Sequence, residues 1–258
     1  MNYQTIRLSL RDGVAVITLN RPDKMNALNS QMRAELLHAF RNPGEDARAI
    51  VMTGQGRAFC SGQDLGDRVN LNQADLERVL RDEYEPMLKA IYDCPLPTIS
   101  AVNGPAAGAG ANLALAADVV IAADSAVFLQ AFTRIGLIPD AGGTYWLPRQ
   151  MGFAKAMGAA LFAEPIGARQ AADWGMIWEA VPDEGFRDHW WGRAAHLASG
   201  PTVAYRNVKK ALRATYDNGL AEQLDLEASL QGECGVTRDF QEGVMAFLEK
   251  RAPDYEGR

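Results

Sequence analysis

Asp140 lies in Gly136-Leu137-Ile138-Pro139-Asp140-Ala141-Gly142-Gly143-Thr144, between a proline and paired glycines and just ahead of a helical pattern. A carboxylate in such a turn can carry a proton if it reaches an acidic C–H or a water. The plainer use is a helix-capping aspartate. Two further glycine-bearing turns each follow an apolar strand pattern: Gly56-Arg57-Ala58-Phe59-Cys60-Ser61-Gly62-Gln63-Asp64-Leu65 and Asn103-Gly104-Pro105-Ala106-Ala107-Gly108-Ala109-Gly110. Small residues let a ligand approach the backbone closely, and N–H groups at a helix start are free donors. One such donor from each loop would make an oxyanion hole. Taken singly, each loop is equally a tight structural turn.

Stronger signatures are missing. The chain has no GxxxxGK[ST] phosphate loop, and Cys60-Ser61-Gly62 lacks the leading glycine of a nucleophile elbow. Gly108-Ala109-Gly110-Ala111-Asn112-Leu113 misses the third glycine of a dinucleotide fingerprint. His38, His189 and His196 are the only histidines and fall on helical patterns, so solvated helix residues are expected rather than a metal site or a triad.

The elements that must position these loops follow from periodicity. Ile6, Leu8 and Leu10 alternate, Asp12-Gly13 turns, and Val14–Leu19 returns as a hairpin. Asn29 or Ser30 caps a helix with Met32, Leu36, Leu37 and Phe40 on one face, and Asn42-Pro43-Gly44 ends it. Ala49–Thr53 reads as a buried strand, Asp75–Tyr92 as a helix, Leu96–Val102 as a strand, and Ala109–Ala117 as an alanine-rich helix. Val119–Ala122 and Ala126–Phe128 are further strands. Continuous apolar strands alternating with helices predict an α/β core with a covered sheet. From Thr144 onward the patterns are almost wholly helical, so the expected division is a core over residues 1–195 and a helical C-terminal lobe over 196–258.

The 258 residues carry 26 basic and 32 acidic side chains, a net charge of −6, with 48% hydrophobic residues. That composition excludes intrinsic disorder and makes nucleic acid an improbable partner. The uncharged run Cys94–Ala117 is long enough for a membrane span, but its prolines, glycines and asparagines argue against one. No leader-like segment opens the chain, and three scattered cysteines give no disulfide framework. The expected location is therefore cytoplasmic.

Taken together and in order, Phe59–Leu65, Ala101-Val102-Asn103-Gly104 with its glycine-rich continuation, and Gly136–Thr144 resemble the crotonase (enoyl-CoA hydratase/isomerase) superfamily. Asn20-Arg21-Pro22-Asp23-Lys24-Met25-Asn26-Ala27-Leu28 resembles its first coenzyme A loop, and Glu242–Arg251 its C-terminal helix. The resemblance spans nearly the whole chain. It implies a ββα superhelix core, a helical trimerisation lobe, and a homotrimer or dimer of trimers. It implies an oxyanion hole from the backbone N–H groups of Gln63 and Ala109, holding a thioester enolate. Coenzyme A is then part of the substrate, and no separate cofactor or metal is expected.

The acid/base positions depart from the hydratase pattern. Where hydratases of the family place two glutamates, this chain has Asn112 and Phe132, and neither an amide nor a phenyl ring acts as a general base. Asp140 stands where some isomerases of the family carry their single acid. A closer likeness, on Phe59–Leu65, Leu137–Asp140 and Trp174-Gly175-Met176-Ile177-Trp178-Glu179, is to the branch that isomerises ring 1,2-epoxyphenylacetyl-CoA to an oxepin. The expected function is thus an acyl-CoA isomerase with Asp140 as proton carrier, acting on that epoxide, on 3-enoyl-CoA, or on both. Hydration or another crotonase reaction, and CoA binding without catalysis, are the alternatives. Lys24, Arg57 and Lys250 are candidates for the CoA phosphates. Ala27, Arg57 and Phe59 are expected near the adenine, and Ser61, Asp64, Leu65, Gly108 and Phe132 along the thioester. Phe132, Tyr145 and Trp146 either line an apolar acyl pocket or pack in the core.

Overall fold

The computed structural model describes residues 2–67 and 75–258. The hairpin forms as β1 (Ile6–Arg11) and β2 (Val14–Leu19), turning at Asp12-Gly13 with both residues at positive φ. Asn29 caps α1 (Ser30–Arg41) by accepting the Met32 N–H at 2.9 Å. The strand β3 (Ala49–Gly54) then pairs in parallel with β2. The helix expected over Asp75–Tyr92 is one continuous rod with an irregular middle: α2 (Leu76–Val79), a π turn (Leu80–Tyr84) and α3 (Glu85–Tyr92). A π turn inserts one extra residue per turn and marks functional sites more often than chance.

Next, β4 (Thr98–Val102) begins two residues later than its apolar run, because Pro95 and Pro97 have no N–H to give a sheet. The glycine-rich turn carries a two-residue strand β5 (Ala106–Ala107) directly into α4 (Ala109–Leu115). Then come β6 (Val119–Ala123), β7 (Val127–Leu129) and a 3-10 turn over Ala131–Ile135. The helices α5 (Gly143–Met151), α6 (Phe153–Phe162) and α7 (Ala168–Asp173) alternate with two short strands that periodicity did not reveal, β8 (Ile166–Gly167) and β9 (Glu179–Val181). Two and three residues are too few for a period to register. The chain ends in α8 (Phe186–Ala198), α9 (Thr202–Ala214), α10 (Leu220–Gly235) and α11 (Arg238–Glu249).

The main sheet has the order β1-β2-β3-β4-β6-β9; β1 is antiparallel to β2 and the other pairs are parallel. A smaller sheet, β5-β7-β8, stands beside it. Side chains alternate between two cores, as the pleat requires. Ile50, Met52, Val120 and Ala122 face one cluster with Met32, Leu36, Met87 and Ile91 from α1 and α3. Ala49, Val51, Ile99, Ala101, Ile121 and Ala123 face the other, closed by Phe186, Trp190, Ala194 and Ala198 of α8. Both faces are therefore covered, which is why the strands read as continuous apolar runs.

The helical region is stitched to the sheet by buried charge. The Asp118 carboxylate accepts the Thr98 N–H and hydroxyl and receives Lys209 at 2.7 Å and Arg213 at 2.6 Å, both from α9. Lys209 also donates to the carbonyls of Cys94 and Leu96, and Arg213 to that of Tyr92. The run Cys94–Ala117 resolves into β4, β5 and α4, and no helix among the described residues is long and apolar enough to cross a membrane.

Candidate active site

The three loops meet at the start of α4. Cys60 bridges to Ala106, its carbonyl accepting the Ala107 N–H at 2.9 Å. Gly62 is packed so closely that a Cβ there would lie 2.7 Å from the Ala107 carbonyl and 3.4 Å from the Ala109 nitrogen. The 62–64 segment also pairs with Leu28: the Leu28 N–H donates to the Gly62 carbonyl, and the Asp64 N–H to the Leu28 carbonyl. In a parallel bridge of this kind the middle residue's own N–H points the other way, so the Gln63 N–H is turned away from Leu28. Ala109 is the first residue of α4, where an N–H has no intrahelical acceptor. Two outward N–H groups on adjoining backbones are the arrangement that polarises a carbonyl oxygen.

Glycine makes this approach possible. Gly62 and Gly108 hold φ of +95° and +52°, and a Cβ on Gly110 would lie 2.3 Å from the Cys60 carbonyl oxygen. Cys60 itself is fully buried, and burial pushes its thiol up to about 12, so it packs and does not react at neutral pH.

The same helix holds Asp140. Asn112 is fully buried one turn after Ala109; its Nδ2 donates to the Asp140 main-chain carbonyl at 2.7 Å, and its Oδ1 accepts from Gln130 at 2.9 Å. Three residues along a helix rise about 4.5 Å, so α4 fixes the spacing between the N–H at its start and the Asp140 loop. Gly143 is required beside it, since a Cβ there would lie 2.4 Å from Asn112 Nδ2. The capping reading of Asp140 does not hold: the N-cap of α5 is Gly142, and Asp140 serves that turn through its main-chain carbonyl. Its carboxylate is close enough to Tyr84 to help raise the phenol's pKa, which burial already drives up.

The other expected residues divide into three groups. Lys24, Ala27, Ser61, Asp64 and Leu65 form one wall: the Ser61 N–H donates to Met25 at 2.9 Å, and Arg21 pairs with Asp64 at 2.8 Å while donating to the Ala27 carbonyl. Burial alone would raise the Asp64 carboxyl, but the Arg21 hydrogen bond and charge hold it below the usual carboxylate range. Exposed Arg57 adjoins this wall, because Gly56 faces Pro22. Gln63, Gly108, Ala109, Phe132 and Asp140 form the centre; the Phe132 ring reaches 3.8 Å from a Cβ position on Gly108. The Phe59 side chain is fully buried and its N–H is spent on the Pro105 carbonyl, so its backbone could meet a ligand only through its carbonyl. Lys250 is the exposed C-cap of α11.

Tyr145 and Trp146 take the packing role. They stack edge-on at 4.8 Å with Tyr92 alongside, and Trp146 covers Gly142. The apolar space lies on the other side of the Asp140 loop, a cavity of about 370 Å³ lined by Ile138, Pro139, Leu147, Phe153, Met157 and Leu161. Periodicity also gave no sign of Arg33, Tyr84, Asn26 or Gln130. Asn26 is buried at φ +55° and ties Gln55 and Ala58; only its place in the first loop pointed toward it.

The sheet, the α4 turn and the covering helices define an α/β protein of the crotonase fold, with a helical C-terminal region. The chain belongs to the enoyl-CoA hydratase/isomerase family, whose model matches residues 9–258. A protein of Rhodobacter capsulatus named "Probable enoyl-CoA hydratase" is 66% identical over the full length of both chains. The 1,2-epoxyphenylacetyl-CoA isomerase of Escherichia coli is 46% identical over 95% of this chain and 96% of its own. The solved enoyl-CoA hydratase of Bacillus anthracis superposes with a TM-score of 0.93 at 32% identity, covering 99% of this chain and 100% of that one.

Proposed function

We propose that the protein is an acyl-CoA isomerase that moves a proton through a thioester enolate. The carrying observation is the α4 arrangement: an N–H at the helix start packed against Gly62, the neighbour of Gln63, and one turn later Asn112 gripping the Asp140 loop. The thioester oxygen sits between the Gln63 and Ala109 N–H groups. Asp140 takes a proton from C2, the charge passes to that oxygen, and the same carboxyl returns the proton further along the conjugated system. One carboxylate suffices because base and acid act in turn. With Asn112 and Phe132 at the other two positions, this site has no second carboxylate there to activate water.

The apolar cavity beside Pro139 and Ile138 supports a hydrocarbon acyl group, either a linear 3-enoyl chain or the ring-epoxidised phenylacetyl group named for the E. coli relative. For the epoxide, the ring opens electrocyclically to the oxepin while the C2 proton shifts, so the product is an isomer with nothing gained or lost. Lys24 and Arg57 on the exposed rim would meet the CoA phosphates. Exposed apolar side chains on α6 and α11, among them Phe153, Phe162, Phe247 and Leu248, support self-association as a trimer or dimer of trimers in which residues 196–258 depend on neighbouring subunits.

The test is spectrophotometric. Purified protein should bring a 3-enoyl-CoA into conjugation, and Asp140→Asn should lower that rate by about a hundredfold or more. An Asp140→Asn protein that keeps most of its activity would overturn the assignment. The name of the R. capsulatus relative favours hydration as the second reading; brisk hydration of crotonyl-CoA with no isomerisation would establish it instead.

A further inference from the structure

Behind the Gln63 N–H lies a buried polar cluster that the proton transfer does not use. Arg33, on α1, is only 2% exposed. Its five N–H donors are all engaged: Nε and Nη2 on Glu83 at 3.0 and 2.6 Å, Nη2 also on Ser30 Oγ at 3.1 Å, and Nη1 on the Leu28 carbonyl at 3.0 Å and Gln63 Oε1 at 2.8 Å. The last two acceptors are the two residues of the Leu28–Gln63 bridge, whose pairing sets the direction of the Gln63 peptide. A second donor closes on the same oxygen, the Tyr84 hydroxyl at 2.6 Å from Gln63 Oε1. Tyr84 is the last residue of the π turn, and the Arg33 guanidinium stacks 4.8 Å from its ring centre. Burying a guanidinium is expensive unless every donor is met and the charge is paired, so this cluster is a rigid unit.

We propose that Arg33 and Tyr84 are positioning residues for the thioester-polarising N–H of Gln63. They hold the Gln63 side chain and its bridge partner so that the peptide cannot rotate. The proposal rests on the oxyanion role given to Gln63 above. Preorganised donors stabilise developing charge only while their direction is fixed, and a supporting shell that loosens the first contact by a fraction of an ångström is enough to weaken it.

The experiment reads the thioester carbonyl directly, by infrared difference spectroscopy of carbonyl-labelled hexanoyl-CoA, a saturated ligand that gives no isomerisation. Wild type should lower the carbonyl stretch on binding. Tyr84→Phe and Gln63→Met, which keep the Gln63 main chain, should each return part of that shift and lower kcat on 3-enoyl-CoA about tenfold with KM changed less than about twofold. The Tyr84→Phe/Gln63→Met double variant should be no worse than either single one, because both act through one hydrogen bond. Arg33→Met should follow them if it folds. Single variants that melt earlier yet keep the wild-type carbonyl frequency and kcat would overturn the positioning role and leave the isomerase reading standing. A wild type that binds hexanoyl-CoA with no carbonyl shift would sink both.

Discussion

Asn112 explains how one position can decide both chemistry and packing. Its amide is used twice, once to hold the Asp140 main chain and once to accept from Gln130. Asn112→Ala would leave the buried Gln130 amide without its acceptor and take one of two donors from the Asp140 carbonyl, which costs about 1–3 kcal/mol. Urea unfolding should report that loss, and kcat should fall further than the folded fraction does because the Asp140 loop is released. Glycine makes a sharper test. Gly143→Ala drives a Cβ into Asn112 Nδ2 at 2.4 Å, so it should reproduce the kinetic defect of Asn112→Ala with the Asn112 amide still in place. An active Gly143→Ala protein would show that Asn112 does not hold the loop.

At the scale of elements, α1 is clamped near its start by two buried charged residues, Arg33 and Glu35. Glu35 is fully buried and accepts from the Gln4 and Thr5 N–H groups, the Thr5 hydroxyl and Gln31, which fastens α1 to the start of β1. Burial pushes the Glu35 carboxyl up, and those four donors more than reverse it, leaving it below its ordinary value. Glu83 is held low as well, its burial outweighed by Arg33 and Ser30, and Asp64 by Arg21. A carboxyl that titrates lower when folded stabilises the fold fully above its unfolded pKa of about 4, and that stability disappears as pH falls through the lowered folded value. Urea melts should therefore be flat from neutral pH down to about 5 and decline steeply below about 4. Glu35→Gln should cost about 2 kcal/mol at pH 7 and flatten the acid decline. An unchanged slope would mean that other carboxyls dominate it.

Across the whole molecule, Asp118 is one of the polar ties between the helical region and the sheet. Its carboxylate is shared by Thr98 on β4 and by Lys209 and Arg213 on α9. Burial lowers the Lys209 pKa, against the pull of Asp118, so removing the carboxylate strands two cations in a half-buried place. Asp118→Ala should destabilise the protein by roughly 3 kcal/mol, seen as an earlier thermal transition. It should also speed hydrogen exchange in α9 before that in β3. Uniform exchange in both elements would argue that the lobe and the sheet unfold as one unit whatever the clip does.

How much of this could be read in advance follows from the same physics. Periodicity located β1, β2, β3, β4 and β6 of the main sheet and the long helices because each has one buried face or two. It missed β5, β8 and β9, which are too short to show a period, and the π turn, which keeps a helical pattern while shifting it by one residue. The loop sequences exposed Gln63, Ala109 and Asp140 because glycine and proline punctuate them. Arg33 was invisible because an arginine beside the apolar positions of a helix reads as solvated surface. The sequence by itself determined the α/β class, the family, and that Asp140 is the carboxylate in the turn before α5, since these depend on local pattern and on residue identity. Only the tertiary structure decided that α4 spaces Ala109 from the Asp140 loop, that Asn112 grips that loop, and that Arg33 and Tyr84 close on Gln63. Those are contacts between residues 21 to 30 apart in the chain, set by how the layers pack rather than by any local preference.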